Sequence, residues 1–409
     1  MGALGYKVCY LTRQYANPVA EGVNQASIRI IDSTRRSGLG VKIFSFEPFG
    51  VDNVNGDDIT IVKTLFHESL PGRRTLRKLA YSLNLQAVLS SSFLSLIPPC
   101  DILHILPPVS TTFYAMIIRL LQKVRLKKCD FKVVTHVFHP FHPIMGGFAW
   151  EGIRTFWRQK LWFLRHARFD QIFCINRLLE NFVRGACGKS AACYLPYPVD
   201  IASFRPPKDK TRAKKMLGLP TDKFLVGYIG QVYAKRGIHV LLDAFDMATR
   251  DLPDLILVIA TKGLSQDKPH VRSFFDHLKR VKPKNRILVL NRVLGDVQQF
   301  YQAMDLIILP FTEPYSIIDP PVVVTETLAS GVPLITTPVG AIKEITSNDR
   351  SAIYVPIADA STLGEEIIRL ACDSHLRARL GSQARKAAST RSLESIGKRL
   401  ARKYEELLI

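Results

Sequence analysis

Three stretches in the C-terminal half carry glycines, cations and carboxylates at spacings that suit an anionic, hydroxyl-rich ligand. The first is Gly227-Tyr-Ile-Gly230-Gln231-Val-Tyr-Ala-Lys235-Arg236-Gly237. Glycine lets the backbone approach a diphosphate, and Lys235 or Arg236 can neutralise its charge. A helix opening near Gly237 would add the positive end of its dipole. Taken alone, the same spacing fits an ordinary strand-to-helix turn. The second stretch runs from Pro310 to Gly331. Asp319 is placed to cap a helix, Pro320 suits its first position and Gly331 its C-terminal stop. Glu326 then lies inside that helix, where a carboxylate can accept both hydroxyls of a ribose. Its neighbours Val322, Val323, Val324 and Leu328 are apolar, which argues against a fully solvated face. The third stretch, Thr336-Thr-Pro-Val-Gly340-Ala-Ile-Lys343-Glu344, leaves a strand and opens a short helix whose amides could face an anion.

Such residues need elements to hold them. Short apolar runs alternate with longer helical stretches, the pattern of parallel strands with crossover helices. Strands are expected at 6–11, 41–46, 101–106, 131–137 and 169–176, and a helix stops at Gly38 and Gly40. Pro196, Pro198, Pro206 and Pro207 mark a linker. A second series follows, with strands at 224–229, 255–260, 286–290, 306–309 and 332–336. The tail 392–408 has helical periodicity and many cations. These patterns imply an α/β fold of two doubly wound domains, 1–200 and 201–390, facing each other across a cleft. A helix at 391–409 is expected to pack back towards the first domain. Ligands of such sheets bind beyond the carboxyl ends of the strands.

At 409 residues the chain suits two domains, and its 47% hydrophobic content gives each a core. The 56 Lys and Arg exceed the 35 Asp and Glu, a net charge of +21 that favours an anionic partner. The seven cysteines, an odd number without a Cys-x-x-Cys pair, read as reduced thiols, with Cys9, Cys174 and Cys193 in strands. No secretory signal, transmembrane span or myristoylation signal is read, so the expected location is cytoplasmic.

The C-terminal half resembles the retaining glycosyltransferases of family four, which share the GT-B fold. The likeness is carried by Ala303-Met-Asp305-Leu-Ile-Ile-Leu-Pro310, by the linker Leu195-Pro196-Tyr197-Pro198-Val199-Asp200 through Phe204-Arg205-Pro206, and by the three stretches above. The resemblance assigns Glu326 to the donor ribose, Arg236 to the diphosphate, Gly230 to the first phosphate loop, and Gly340 and Glu344 to the loop after the glutamate helix. Ile318 stands where the family has its first glutamate, and Asp319 with Pro320 and Pro321 is the expected substitute at the donor sugar. Gln231 replaces the usual arginine, with Lys235 or Lys262 as compensation. In the N-terminal half, Glu21-Gly22 resembles the family's Gly-Gly loop with one glycine missing. The family's histidine after a Thr-containing strand has two candidates, His136 and His139, of which His136 is preferred.

The resemblance implies transfer of a sugar from a nucleoside diphosphate sugar with retention of configuration, by front-face attack. Cations and helix N-termini can stabilise the departing diphosphate without a metal, and the chain has no Asp-x-Asp motif to hold one. No cofactor is expected. The basic aromatic stretch 152–168, with Trp157, Trp162, four arginines and Lys160, suits either an ordinary packing helix or an anionic membrane interface. The second option makes the acceptor a lipid or lipid-linked glycan and the protein peripheral on the cytoplasmic face. Arg73, Arg74, Arg77 and Lys78 would extend that surface. A GT-B protein impaired by Ile318 and Gln231, or a basic nucleic-acid binder, are the alternatives. A dehydrogenase is disfavoured because the loop after the first strand lacks Gly-x-Gly-x-x-Gly.

Overall fold

The computed structural model describes residues 6–12, 22–45, 59–61, 99–106, 131–138, 168–188, 192–292, 294–313 and 319–409. The chain divides into two compact units, Met1–Tyr197 with Ile396–Ile409, and Pro198–Ser395.

The first unit holds strands β1 (Lys7–Thr12), β2 (Gly40–Ser45), β3 (Ile59–Ile61), β4 (Ile102–Ile105), β5 (Lys132–Val137), β6 (Gln171–Cys174) and β7 (Ala192–Tyr194). They form one parallel sheet in the order β3-β2-β1-β4-β5-β6-β7. The strand order reverses between β1 and β4. Helices α1 (Gly22–Arg36) and α2 (Arg177–Cys187) belong to this unit. The second unit holds β8 (Phe224–Ile229), β9 (Leu255–Thr261), β10 (Ile287–Asn291), β11 (Leu306–Leu309), β12 (Leu334–Thr336) and β13 (Ile353–Tyr354) in the parallel order β10-β9-β8-β11-β12-β13. Its switch point lies between β8 and β11. Its helices are α3 (Lys210–Met216), α4 (Ile238–Ala248), α5 (Pro269–Leu278), α6 (Val297–Ala303), α7 (Val322–Ser330), α8 (Ala360–Cys372) and α9 (Ser374–Ser389). Helix α10 (Leu393–Leu408) enters the first unit at Ile396.

The sequence explains this layout. Every residue of β9 (LILVIAT) and of β11 (LIIL) is buried, as expected of parallel strands covered on both faces. Asn176, Asp209, Asp359 and Asp373 cap α2, α3, α8 and α9, each accepting an amide proton from the third residue beyond it. Two strands escaped the sequence reading, β3 and β13, which are three and two residues long; β7 was read only as the strand around Cys193.

Asp305, at the foot of β11, ties three elements together. Its carboxylate takes Lys210 Nζ (2.8 Å) and Lys214 Nζ (2.9 Å) from α3, and the Leu225 amide (2.9 Å) of β8. Burial raises its pKa, but Lys210, the Leu225 amide and the two lysine hydrogen bonds outweigh this and hold it below the usual carboxylate range. Lys214 is itself buried. Asp305→Ala would leave its ammonium without a counter-charge, so the second unit should lose about 3 kcal/mol in urea unfolding. Lys210→Ala, which removes a half-exposed partner, should cost less than about 1 kcal/mol.

Candidate functional site

The glycine loop lies at the switch point of the second sheet. Gly230 leaves β8 with φ 145°, and Ala234–Arg236 form a 3-10 turn. Gly237 (φ 73°) then opens α4. Only glycine fits there: a Cβ on Gly237 would stand 1.7 Å from the Pro310 carbonyl oxygen at the exit of β11. The loop is laced to the same exit, because the Thr312 amide donates to Lys235 O (3.1 Å) and its hydroxyl to Ala234 O (3.3 Å). From within, the buried Tyr228 hydroxyl donates to Gln231 O (2.7 Å). Arg236 reaches back over Gly230, with Nη1 3.0 Å from where a Cβ would sit. Lys235 lies over the Tyr233 ring at 5.5 Å, and Tyr233 packs on His270 at 4.1 Å. The side chain of Gln231 is exposed.

Lys262 and Gly263 follow β9, the neighbour of β8. At the end of β9 the Thr261 hydroxyl is buried without a hydrogen-bond partner among the described residues. Sequence reasoning missed Thr261, Tyr228 and Thr312; the contact of Thr312 lies 78 residues away in the chain, beyond the reach of local spacing.

Glu326 sits in the middle of α7 and is buried, with Oε2 accepting the Tyr301 hydroxyl of α6 at 2.7 Å. Tyr301 is fully buried, edge-on to Phe204 at 5.7 Å. The glutamate is therefore oriented from below by a phenol that no local motif announces. Gly331 ends α7 in the left-handed conformation, as its position predicts.

Asp319 requires a correction. It does not cap α7, whose N-cap is Pro321 and whose first residue is Val322; Pro320 is therefore not the first helical residue. Both Asp319 oxygens instead accept the Ala341 amide, at 3.0 and 3.1 Å. Gly340 (φ 52°) makes this possible, since a Cβ there would come within 2.7 Å of Oδ2. The Ala341 amide, one of those expected to face an anion, is thus already engaged by a carboxylate. Burial pushes the Asp319 carboxyl up to about 6, opposed by the Ala341 amide and reinforced by the charge of Glu344. Pro320 and Pro321 are buried, and Glu344 is exposed on the same turn.

In the first unit His136 is buried near the carboxyl end of β5. Its Nδ1 lies 2.8 Å from His104 Nε2 of β4, and the two rings are parallel within 7°. His104 Nδ1 lies 2.5 Å from the Tyr404 hydroxyl of α10. Tyr404 meets the Tyr10 hydroxyl of β1 at 2.9 Å, and Tyr10 meets Thr34 Oγ1 of α1 at 2.6 Å. Burial pushes the His136 imidazole down to about 3. Burial, with His136 beside it, also pulls His104 well below the usual range. Both are neutral at physiological pH. Gly22 is the first residue of α1. Glu21, His139, Ile318, the basic cluster at 73–78 and residues 152–167 lie outside the described residues. No described helix is long and apolar enough to cross a membrane.

Two parallel sheets of this strand order, with a glycine loop at the second switch point and a buried glutamate on the helix beyond β11, are the α/β architecture of the GT-B fold. Residues 209–387 match the family described as glycosyl transferases group 1. The chain is 27% identical over 258 residues to the lipopolysaccharide core biosynthesis mannosyltransferase LpsB of Rhizobium meliloti, a match covering 60% of this chain and 70% of that one. It is 28% identical over 208 residues to a D-inositol 3-phosphate glycosyltransferase of Xylanimonas cellulosilytica, covering 47% of this chain and 46% of the relative. The chain thus spans less than half the length of that second relative. Among solved structures, Anabaena HepE in complex with UDP and glucose superposes with a TM-score of 0.72 at 16% identity, over 98% of this chain and 99% of HepE. At that identity the likeness shows the fold.

Two outcomes test this geometry. Gly237→Ala adds a backbone clash to a left-handed φ, and should destabilise the second unit by about 2–4 kcal/mol in denaturant unfolding. Asp319 binds its proton more tightly folded than unfolded, so its contribution is present below pH 3.8 and is lost as pH rises through about 6. Asp319→Asn cannot ionise. Its unfolding free energy in urea should therefore gain on that of the wild type between pH 4 and pH 7, by an amount on the order of 2 kcal/mol.

Proposed function

We propose that the protein takes a sugar from a nucleoside diphosphate sugar and passes it to a glycan or lipid-linked acceptor, with retention of configuration and without a metal. The observation that carries this reading is the Gly230–Gly237 loop, wedged against Pro310 at the switch point where doubly wound sheets bind their ligands. The diphosphate lies along that loop. Arg236, Lys235 and Lys262 supply positive charge, and the N-terminus of α4 supplies its dipole. As the nucleoside diphosphate departs, these groups stabilise the growing negative charge. Glu326 accepts the ribose hydroxyls, its carboxylate held in orientation by Tyr301. Asp319 contributes by fixing the Gly340 turn beside it. In the first unit His136 contacts a substrate hydroxyl near the end of β5.

Retention rests on the family resemblance, with the acceptor hydroxyl attacking from the face the diphosphate leaves. Metal independence is supported by the absence of an Asp-x-Asp motif and by the cations at the loop. A saccharide-bearing lipid as acceptor is supported by the name of the Rhizobium meliloti relative and by the net charge of +21, which favours an anionic surface. The protein then works in the cytoplasm, at the inner face of the membrane.

A thermal-shift screen against UDP, GDP, ADP and CMP, with and without EDTA, tests the donor site. Stabilisation by one nucleoside diphosphate that survives EDTA is expected. A response to none of them would overturn an intact donor site and favour an impaired GT-B protein. Glu326→Ala should weaken the effective nucleotide at least tenfold, the equivalent of about 1.5–3 kcal/mol for hydrogen bonds to a charged group. Arg236→Ala should weaken it in a salt-dependent manner.

A further inference from the structure

The hydrogen-bonded chain inside the first unit has a direction, and that direction decides what His136 can recognise. It begins at a backbone carbonyl, which can only accept. Thr34 Oγ1 donates its single proton to Ile30 O at 3.0 Å. Thr34 must then accept from Tyr10, whose hydroxyl lies 2.6 Å away. Tyr10, its proton committed, accepts from Tyr404 at 2.9 Å. Tyr404, likewise committed, accepts from His104, so the His104 proton is on Nδ1. A neutral His104 then offers a bare Nε2, and His136 must donate to it from Nδ1 at 2.8 Å. The remaining nitrogen, His136 Nε2, carries a lone pair and no proton. It is buried, with no hydrogen-bond partner among the described residues.

We propose that Tyr404 is a positioning residue: through His104 it locks His136 in the tautomer whose partnerless nitrogen is an acceptor, so this position takes a neutral sugar hydroxyl rather than a phosphate or carboxylate oxygen. The substrate contact itself rests on the reading of His136 given above, whereas the direction of the chain does not. An acceptor nitrogen repels an anionic oxygen and receives an O–H. The position therefore selects for the uncharged, hydroxyl-bearing part of a substrate. The lock is built from both ends of the sequence, because Tyr10 and Tyr404 lie 394 residues apart. Removing the phenol oxygen of Tyr404 leaves the His104 Nδ1 proton without an acceptor. The histidine pair can then run the other way, with His104 donating from Nε2 and a proton appearing on His136 Nε2.

The test is magic-angle-spinning NMR of the full chain carrying ring-15N histidine, with His104→Gln and His136→Gln spectra to assign the two rings. The wild type should show His136 Nε2 unprotonated and Nδ1 protonated, without change from pH 5 to pH 8. Tyr404→Phe should bring up a protonated His136 Nε2 signal. If that variant does not fold, Thr34→Val, which removes the anchor of the chain at nearly constant shape, is read for the same signal. A protonated His136 Nε2 in the wild type would overturn the proposal. So would an unchanged nitrogen spectrum in the folded variant, which is what a purely structural Tyr404 would give. Turnover of the nucleoside diphosphate sugar by His136→Ala separates the two readings. Full activity beside the expected nitrogen spectrum would leave the lock standing and remove substrate from His136.

Discussion

Strands buried on both faces leave nowhere along their length for a polar group to meet water. The sheets of this protein are of that kind: β4, β9 and β11 are buried at every residue. Chemistry is thereby confined to the carboxyl ends, where the pairing stops and loops begin. Three of the buried polar atoms without a partner among the described residues obey this rule. Thr12 ends β1, Thr261 ends β9 and His136 lies one residue from the end of β5. The main exception lies in mid-sheet, where Tyr10 and His104 stand side by side on β1 and β4. They are tolerated because α10 brings Tyr404 and α1 brings Thr34, which together satisfy hydrogen-bonding groups that would otherwise be stranded.

The same constraint explains what could be read from the sequence. Buried parallel strands are continuous apolar runs, and β8 and β11 fall on the expected residues while most others shift by one or two. The glycine loop was legible because its requirements are local: a left-handed φ at Gly237 and a helix starting immediately after it. Asp319 was misread because its partner, Ala341, lies 22 residues downstream. Within its own neighbourhood, an Asp before two prolines has every mark of a helix cap. His104 drew no notice at all. A histidine inside Ile-Leu-His-Ile reads as a satisfied core residue, and the phenol that satisfies it is 300 residues away. Groups whose function is set by sequence-distant partners leave no trace in spacing.

Two carboxylates beyond β11 show how context divides similar side chains. Glu326 accepts a hydrogen bond from a buried phenol that orients its carboxylate. Asp319 is spent on the backbone of the Gly340 turn, and burial makes its charge unwelcome. Asp319 joins the backbone after β11 to the backbone after β12. The segment after β11 borders the Gly230–Gly237 loop through Pro310 and Thr312.

The two units equip their strand ends in opposite electrostatic senses. Beside the second switch point stand Arg236, Lys235 and Lys262 together with the amino end of α4, an arrangement suited to phosphate. In the first unit the partnerless polar groups at the strand ends, the Thr12 hydroxyl and the His136 imidazole that burial holds unprotonated, are neutral. A neutral histidine is useful for recognition only if its proton is fixed, since a free tautomer presents a donor half the time and an acceptor otherwise. The chain from Ile30 O to His136 supplies that fixity without introducing a charge into the core. The proposed function, with a diphosphate in one place and an uncharged hydroxyl in another, requires this division. Here it follows from which side chains the buried strands deliver to their ends.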